Sequence, residues 1–236
     1  MASITLNEAA YDVFEFYSQN VKDTDNVDIR QIKFWVNTMR AKLLKQKFDK
    51  YSMLPIDEAY IQTLAPGGNP VALQMIDSSI YTTLPSNNYF AETTISIPKT
   101  IERNAYNHTF VRIGPADKLR INYTIVPYDQ ALFSGNGKFN HDTVFAVVYG
   151  DKILLMSKNF QSISGIQGLN IRGVFSNPVE VSTLNSSTYT DDDEYPINLN
   201  LISDMKEMIL SREFRLDYKP PIDPSPANPQ TLAKEN

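Results

Sequence analysis

The sequence predicts an α+β protein: an N-terminal helical hairpin and a C-terminal helix form a small bundle, packed with an antiparallel β-sandwich or barrel domain and followed by an extended proline-rich arm. Apolar residues recur at helical spacing in the first fifty residues and again after residue 198. Between residues 57 and 181, short apolar or alternating segments are split by Pro, Gly and Asn, as in strands joined by turns. The expected boundaries are 1–56 for the hairpin, 57–190 for the β domain, 191–218 for the last helix and 219–236 for the arm.

Two amphipathic helices form the predicted hairpin, and each needs another surface to cover its apolar stripe. The first begins near Leu6 or Asn7, with apolar positions Leu6, Ala10, Val13, Phe14, Tyr17 and Val21. At the start of the second, Asp28 followed by Gln31 predicts a capping box. The second helix has the apolar positions Ile29, Ile32, Val36, Met39 and Leu43, and basic positions expected mostly off that face, Arg30, Lys33, Arg40, Lys45 and Lys47.

Eight segments of the middle region predict short strands. They are residues 59–64, 71–76, 93–97, 109–113, 119–126, 143–149, 152–156 and 169–175. The loop Gly150-Asp151 is the best-defined turn, because it has two residues with glycine first, as a type II′ hairpin prefers.

The last helix is predicted from about residue 198 to residue 215, with Leu201 or Ile202, Met205, Met208 and Ile209 facing inward. Ahead of it stands the acidic run Asp191-Asp-Asp-Glu194, which we expect to lie near the positive end of this helix. The proline-rich stretch from Pro220 to Pro229 is incompatible with helix or central strand and predicts an extended arm.

Charge is unevenly distributed along the chain, whose net charge is −5. Residues 28–50 hold seven basic and two acidic residues, a local charge of +5, whereas residues 188–236 hold ten acidic and five basic residues, a local charge of −5. This asymmetry predicts either head-to-tail docking of copies or two solvated helix faces.

The chain has no cysteine, which excludes disulfides, zinc fingers and thiol catalysis. No apolar run approaches the ~20 residues of a membrane span, and no signal-peptide pattern is visible at the first residues. We therefore expect a soluble protein made in a reducing compartment, without membrane contact.

Candidate chemistry is sparse. His141 and Asp142 are adjacent, and on a strand they would point to opposite faces, while His108 is expected in a turn. The acidic run offers oxygen ligands for a cation, but it lacks EF-hand spacing, so a solvated loop is favoured. The stretch Gly135-Asn-Gly-Lys138 is too short for a phosphate loop. The sequence therefore predicts no catalytic residue, no cofactor and no metal site.

Two binding functions stay open, nucleic-acid binding and carbohydrate binding. The basic second helix carries Phe34, Trp35 and Phe48, a combination found in nucleic-acid-binding helices, and it is most relevant if the helix lines a DNA channel. The acidity of the whole chain and the apolar stripe count against it. The β region is rich in Tyr, Asn and Thr, which fits a carbohydrate-facing sheet but equally fits ordinary strands and turns.

The order of several segments resembles one known class of protein. These segments are residues 28–44, Ala59-Tyr-Ile-Gln-Thr63, residues 131–139, Ile171-Arg-Gly-Val-Phe-Ser-Asn-Pro178, Glu194-Tyr-Pro-Ile197 and the proline-bearing tail. The arrangement resembles virion structural proteins of crAss-like podophages, in particular the ring or adaptor proteins stacked between portal and tail. The resemblance covers nearly the whole chain.

The resemblance implies a bacteriophage structural protein without enzymatic activity. It implies a closed ring of about twelve copies with a central DNA channel, with the portal protein and adjacent tail ring proteins as partners, located at the head–tail interface of the virion. We therefore expect a head-to-tail connector, adaptor or tail-barrel component, assembled in the host cytoplasm. The alternative is a β-sandwich module that binds carbohydrate or a receptor; a hydrolase is the least supported class. Which ring the chain occupies, and which neighbour the arm contacts, stay open.

Overall fold

A computed structural model describes residues 4–20, 27–50, 55–77, 88–103, 107–131, 133 and 140–214. Within these ranges the helices are α1 (Leu6–Asn20), α2 (Ile29–Lys50), α3 (Tyr128–Ala131), α4 (Phe160–Ser164), α5 (Pro178–Asn185) and α6 (Ile202–Arg212). The strands are β1 (Ile4–Thr5), β2 (Gln62–Leu64), β3 (Val71–Ile76), β4 (Tyr89–Thr93), β5 (Glu102–Arg103), β6 (Asn107–His108), β7 (Phe110–Pro115), β8 (Thr124–Ile125), β9 (Phe145–Tyr149), β10 (Lys152–Ser157), β11 (Gly168–Gly173) and β12 (Glu194–Tyr195).

Helices α1, α2 and α6 form the predicted bundle, and their apolar stripes make one core. The fully buried residues of this core include Ala9, Ala10 and Val13 of α1, Ile32 and Val36 of α2, and Met205 and Ile209 of α6. At the start of α2, the Asp28 carboxylate accepts a hydrogen bond from the Arg30 N–H at 2.9 Å, which confirms the carboxylate cap of the predicted capping box.

The short strand β1 pairs antiparallel with β12, with Ile4 opposite Tyr195. This pairing brings the segment before α1 against the segment that leads into α6. The two ends of the described chain are therefore parts of one structural unit.

The larger sheet follows the path β2-β11-β3-β4-β10-β9-β8, and β7 pairs with β11. The sheet curls so that its two ends, β7 and β8, lie side by side. A hydrogen bond joins these ends: the Tyr123 N–H, just before β8, donates to the Ile113 carbonyl of β7 at 2.7 Å. Gly114 permits this approach, since a Cβ there would lie 2.2 Å from the Ile121 carbonyl oxygen. The sheet is mixed and not wholly antiparallel, because β8 runs parallel to β9. The predicted α+β class with a sandwich or barrel is confirmed in the form of this curled sheet.

The interior of the curled sheet holds the main β core, and a second cluster lies on the other side of the β4–β10–β9 strands. The interior cluster includes Val71, Ile113, Ala146, Ile153, Leu155, Leu169 and Ile171. The second cluster comprises Phe90, Ala131, Val147, Leu154 and Met156. Because β10 contributes to both, all its residues from Ile153 to Ser157 are buried.

Most predicted strands are present within the uncertainty of element ends, and three predictions are wrong in part. The segment 59–64 begins as a 3₁₀ turn, Glu58–Tyr60, before β2. The segment 93–97 lies mainly after its strand, since β4 ends at Thr93, whose hydroxyl donates to the Ile95 carbonyl. In 119–126 only β8 is strand, because the Ile121 N–H closes a turn onto Lys118.

The hairpin at Gly150 is confirmed: Tyr149 lies opposite Lys152, and Gly150 has φ 61°. Helices α3, α4 and α5 were missed, because four to eight residues are too few for a helical period to stand out. The only sequence marks of α4 and α5 are an asparagine at each N-cap and Pro178 at the start of α5. The stretch 135–138 and the arm 219–236 lie outside the described residues.

Candidate assembly site

Arg40 joins the helical bundle to the β domain. It projects from α2, where Nε donates to the Pro196 carbonyl at 2.8 Å and Nη1 donates to the Phe175 carbonyl at 3.0 Å. The guanidinium carbon lies 5.7 Å from the centroid of the Tyr195 ring, within cation–π range. Tyr195 is itself fixed by its hydroxyl, which donates to Asn37 Oδ1 at 2.7 Å. One side chain thus holds α2 to the segment before α6 and to the segment after β11.

The position of Arg40 corrects the expectation that it lies off the buried face, since its exposed fraction is 0%. Burial lowers the pKa of Arg40, and the neighbouring Tyr195 acts in the opposite direction. Burial also raises the pKa of Tyr195. The guanidinium stays protonated because its ordinary pKa is above about 12. Among the described residues its charge is balanced by carbonyl dipoles and an aromatic ring, and Nη2 has no hydrogen-bond partner there.

An apolar contact surrounds this junction. Leu44 and Phe48 of α2 pack with Tyr60, Ile101 and Val174 of the β domain. Lys47 adds to it: its Nζ lies 3.0 Å from the Tyr60 hydroxyl oxygen and 5.0 Å from the centre of that ring. The bundle and the β domain are therefore connected by a buried core as well as by Arg40.

The acidic run precedes the last helix in the chain, but the contacts of its side chains and backbone place it at the start of α1. The Asn7 N–H donates to the Asp191 carbonyl at 3.1 Å, and Lys33 of α2 forms an ion pair with the Asp191 carboxylate at 2.6 Å. Asp192 accepts from the Asn7 side chain, and Asp193 accepts from the Thr190 N–H. The pairing of β1 with β12 explains this placement, since it brings residue 194 beside residue 5.

Because the carboxylates of the acidic run have different partners, they do not converge on one point. Within the described ranges, no group of three or more His, Cys, Asp or Glu side chains is arranged to hold a metal ion. The last helix is instead preceded by a 3₁₀ turn, Leu199–Leu201, where Asn198 Oδ1 accepts from the Asn200 N–H.

The histidines are not where the sequence predicted them. His141 and Asp142 lie in a turn, so their side chains do meet, with 3.3 Å between Nδ1 and Oδ1. Both are largely exposed. Asn159 also donates to Asp142, and this bond, together with His141, lowers the pKa of Asp142. His108 belongs to β6, opposite Glu102, and burial lowers its pKa.

A recess of about 410 Å³ opens where the ends of the curled sheet meet. Its lining includes Asp117, Asn122, Tyr123, Asp142 and Gln161. Burial raises the pKa of Tyr123 to about 12, and the nearby Asp117 adds to the shift. Tyr123 is the single aromatic residue of this lining, whereas stacking on a sugar ring is commonly provided by more extensive aromatic surfaces.

Helix α2 exposes a basic face, which we define by Arg30, Phe34, Thr38, Lys42 and Lys45. Phe34 is 66% exposed, a large fraction for an aromatic side chain in the middle of a helix. Lys45 lies 3.9 Å from Glu102, and both are exposed, so this pair contributes little to stability.

The other two aromatic residues predicted to favour nucleic-acid contact point inward. Trp35 packs edge-on against Phe214 at 4.9 Å, and Tyr17 stacks on the same ring at 4.1 Å. Phe48 is buried in the junction with the β domain. Of the three, Phe34 alone is available to a partner.

Among the helices that the structure describes, none has the length and apolar character of a membrane span. A protein-family model, described as phage tail ring protein 2 and named as a crAss-phage ring family, matches residues 8–230. A search of curated proteins found no match. The family match covers most of α1, the other two helices of the bundle, the β domain and the proline-rich stretch from Pro220 to Pro229.

Proposed function

The chain belongs to the phage tail ring protein 2 family of crAss-like phages, and we propose that it forms a closed ring that joins the portal to the tail around the DNA channel. As a phage tail ring structural protein it is a component of the virion. In this proposal the ring has about twelve copies, contacts the portal protein and adjacent tail rings, and acts by oligomerisation without catalysis.

The match over residues 8–230 carries the proposal, because it includes every helix and strand from α2 to α6 and most of α1. It agrees with the resemblance found in the order of the sequence segments. We also propose that residues 1–56 and 191–218 act as one bundle domain beside the β domain of residues 57–190. The pairing of β1 with β12 supports this division.

The junction at Arg40 suits a ring subunit. In a ring each copy contacts two neighbours with different surfaces, so displacement at one contact must be resisted by the body of the subunit. The buried hydrogen bonds of Arg40 and the apolar contact around Phe48 hold the bundle against the β domain. This arrangement supports a subunit that behaves as a single body.

Mass and symmetry measurements test the proposal. The full chain is produced alone and together with the portal and neighbouring tail proteins, and each sample is examined by native mass spectrometry and by electron-microscopy class averages. We expect a high-order ring, at least in the presence of the neighbours. A monomer under both conditions would contradict the ring function and favour the alternative, a carbohydrate- or receptor-binding module.

A further inference from the structure

A groove of about 730 Å³ lies on the bundle between α1 and α6. Its apolar lining consists of Ile4, Phe16, Ile202 and Leu210, together with Leu199, which is 46% exposed. The volume of this groove exceeds that of the 410 Å³ recess in the β domain, and its lining, unlike the lining of that recess, is mainly apolar.

The polar residues of the groove make it acidic. Asp12, Asp204 and Glu207 supply three carboxylates, and Lys206 supplies one ammonium group. That ammonium group is already engaged, because Lys206 forms an ion pair with Asp12. Asp204 and Glu207 are exposed and give the groove a negative edge.

The basic face of α2 has the opposite character. Arg30, Phe34, Thr38 and Lys45 lie four, four and seven residues apart, so they share one side of the helix, with Lys42 close by. Helix α1 and helix α6 pack on the buried side of α2. One surface of the bundle therefore presents an aromatic side chain between cations, and another presents an apolar groove edged by carboxylates.

Building on the ring function proposed above, we infer that the basic face of α2 in one copy docks into the α1–α6 groove of the next copy. Phe34 enters the apolar lining, and Arg30 and Lys42 face Asp204 and Glu207. Aromatic anchors in apolar pockets commonly supply most of the binding energy of an interface, while charges around them set orientation. Because the two surfaces differ, the contact is head to tail, and its repetition closes a ring when the rotation between copies allows it.

This inference narrows the head-to-tail pairing that the sequence predicted to Asp204 and Glu207 of the acidic C-terminal part. The basic helix was expected to meet the acidic C-terminal part of the chain, but Asp191 is occupied by Lys33 of the same copy. Asp204 and Glu207 of the groove, by contrast, are exposed and can meet a second copy. The competing occupant of the α2 face is DNA, which would use Arg30 and Lys42 without needing the groove.

Cross-linking between introduced cysteines tests the contact, because the natural chain has none. Variants Phe34→Cys and Leu199→Cys, both at exposed positions, are treated with a short bismaleimide under ring-forming conditions. We expect a mixture of the two single variants to give dimers, and a chain that carries both to give a ladder of higher oligomers. The control is Leu119→Cys paired with Leu199→Cys, since Leu119 is as exposed as Phe34 at 66%.

Two readouts separate the inference from the ring function. If the cysteine variants themselves form rings by mass but the Phe34–Leu199 pair links no better than the control, the ring stands and this interface is overturned. Loss of rings in Phe34→Cys but not in Leu119→Cys would support the anchor role given to Phe34. If mass measurements show no oligomer in any sample, the proposed ring function itself is contradicted. Links formed by Phe34→Cys alone would mean a symmetric contact and would also overturn the inference.

Charge exchange gives a second test that does not depend on cysteine geometry. The double change Arg30→Glu and Lys42→Glu should lower ring yield at least tenfold, and adding Asp204→Lys and Glu207→Lys should restore much of it. If the acidic-edge changes restore nothing while the first pair abolishes DNA retention by the ring, the α2 face binds DNA and the inference is wrong.

Discussion

Replacing Arg40 tests how the bundle is held to the β domain. In Arg40→Met the stem of the side chain keeps its packing, but the Phe175 and Pro196 carbonyls lose their donors. A buried carbonyl left without a donor costs about 1–3 kcal/mol, which applies in full to Phe175 and in part to the half-buried Pro196 carbonyl. The lost contact with the Tyr195 ring costs about 1 kcal/mol more. The variant recovers part of this because a buried charge is removed. We expect a net loss of about 2 kcal/mol in the free energy of unfolding.

Arg40→Lys separates the charge from its geometry. A lysine keeps the buried charge, but its three donors radiate from one nitrogen and do not reproduce the guanidinium fork that spans both carbonyls. We therefore expect Arg40→Lys to be less stable than Arg40→Met, by roughly 1 kcal/mol. The control is Lys45→Met on the same helix; its side chain is 54% exposed, and the change should be within about 0.5 kcal/mol of zero.

Urea unfolding measures these differences. Trp35 is the single tryptophan of the chain and reports on the bundle by fluorescence, while far-UV circular dichroism reports on the whole protein. A loss of 2 kcal/mol moves the midpoint by about 1 M at a slope of about 2 kcal/mol per molar urea. If Arg40→Met is as stable as the natural chain, the desolvation of the guanidinium outweighs its hydrogen bonds, and the role given to Arg40 is refuted.

Three further predictions concern other parts of the chain. Gly114→Ala should destabilise the curled sheet by about 1–3 kcal/mol in the same urea assay, whereas Gly165→Ala, where a Cβ would be 3.5 Å from its nearest neighbour, should change little. Burial holds the pKa of His108 below its ordinary value, so its neutral form stabilises the fold above about pH 6.5, and this stability is lost as the pH falls. His108→Asn should flatten the fall in melting temperature between about pH 7 and pH 5. Truncation after Tyr218 should reduce ring yield without changing the unfolding midpoint; normal assembly of the truncated chain would contradict a role for the arm.

Helical periodicity predicted the bundle because, in a long helix, apolar residues must recur at every turn on the face that is covered. Five positions in α2 point to one covered face, and three of them, Ile32, Val36 and Met39, are buried. The hairpin at Gly150 could be predicted for a different reason, because a two-residue loop with glycine first, between two strand-like segments, is typical of a tight β-hairpin. Patterns within a short stretch of sequence were therefore sufficient to predict these two elements.

The junction could not be predicted in the same way. An arginine in a basic helix is ordinarily solvated, and nothing in the residues near Arg40 announces that two carbonyls more than 130 positions away will face it. The partners of the acidic run were equally hidden, because the pairing of β1 with β12 involves only two residues on each side. Likewise, adjacency predicted that His141 and Asp142 diverge, and a turn brought them together. Long-range contacts decided the first two cases, and a local turn decided the third.

The pairing of Ile4 with Tyr195 has a consequence for how the protein is made. Helices α1 and α2 are synthesised before the β domain, whereas α6 leaves the ribosome only after the whole β domain has been translated. Until then the apolar faces of the first two helices lack their third partner, and the groove between α1 and α6 does not exist. In the docking proposed above, a chain without α6 could offer the basic face of α2 but could not receive one. In the proposed ring, the groove side of the contact would therefore become available only after α6 has been synthesised, later than the basic face of α2.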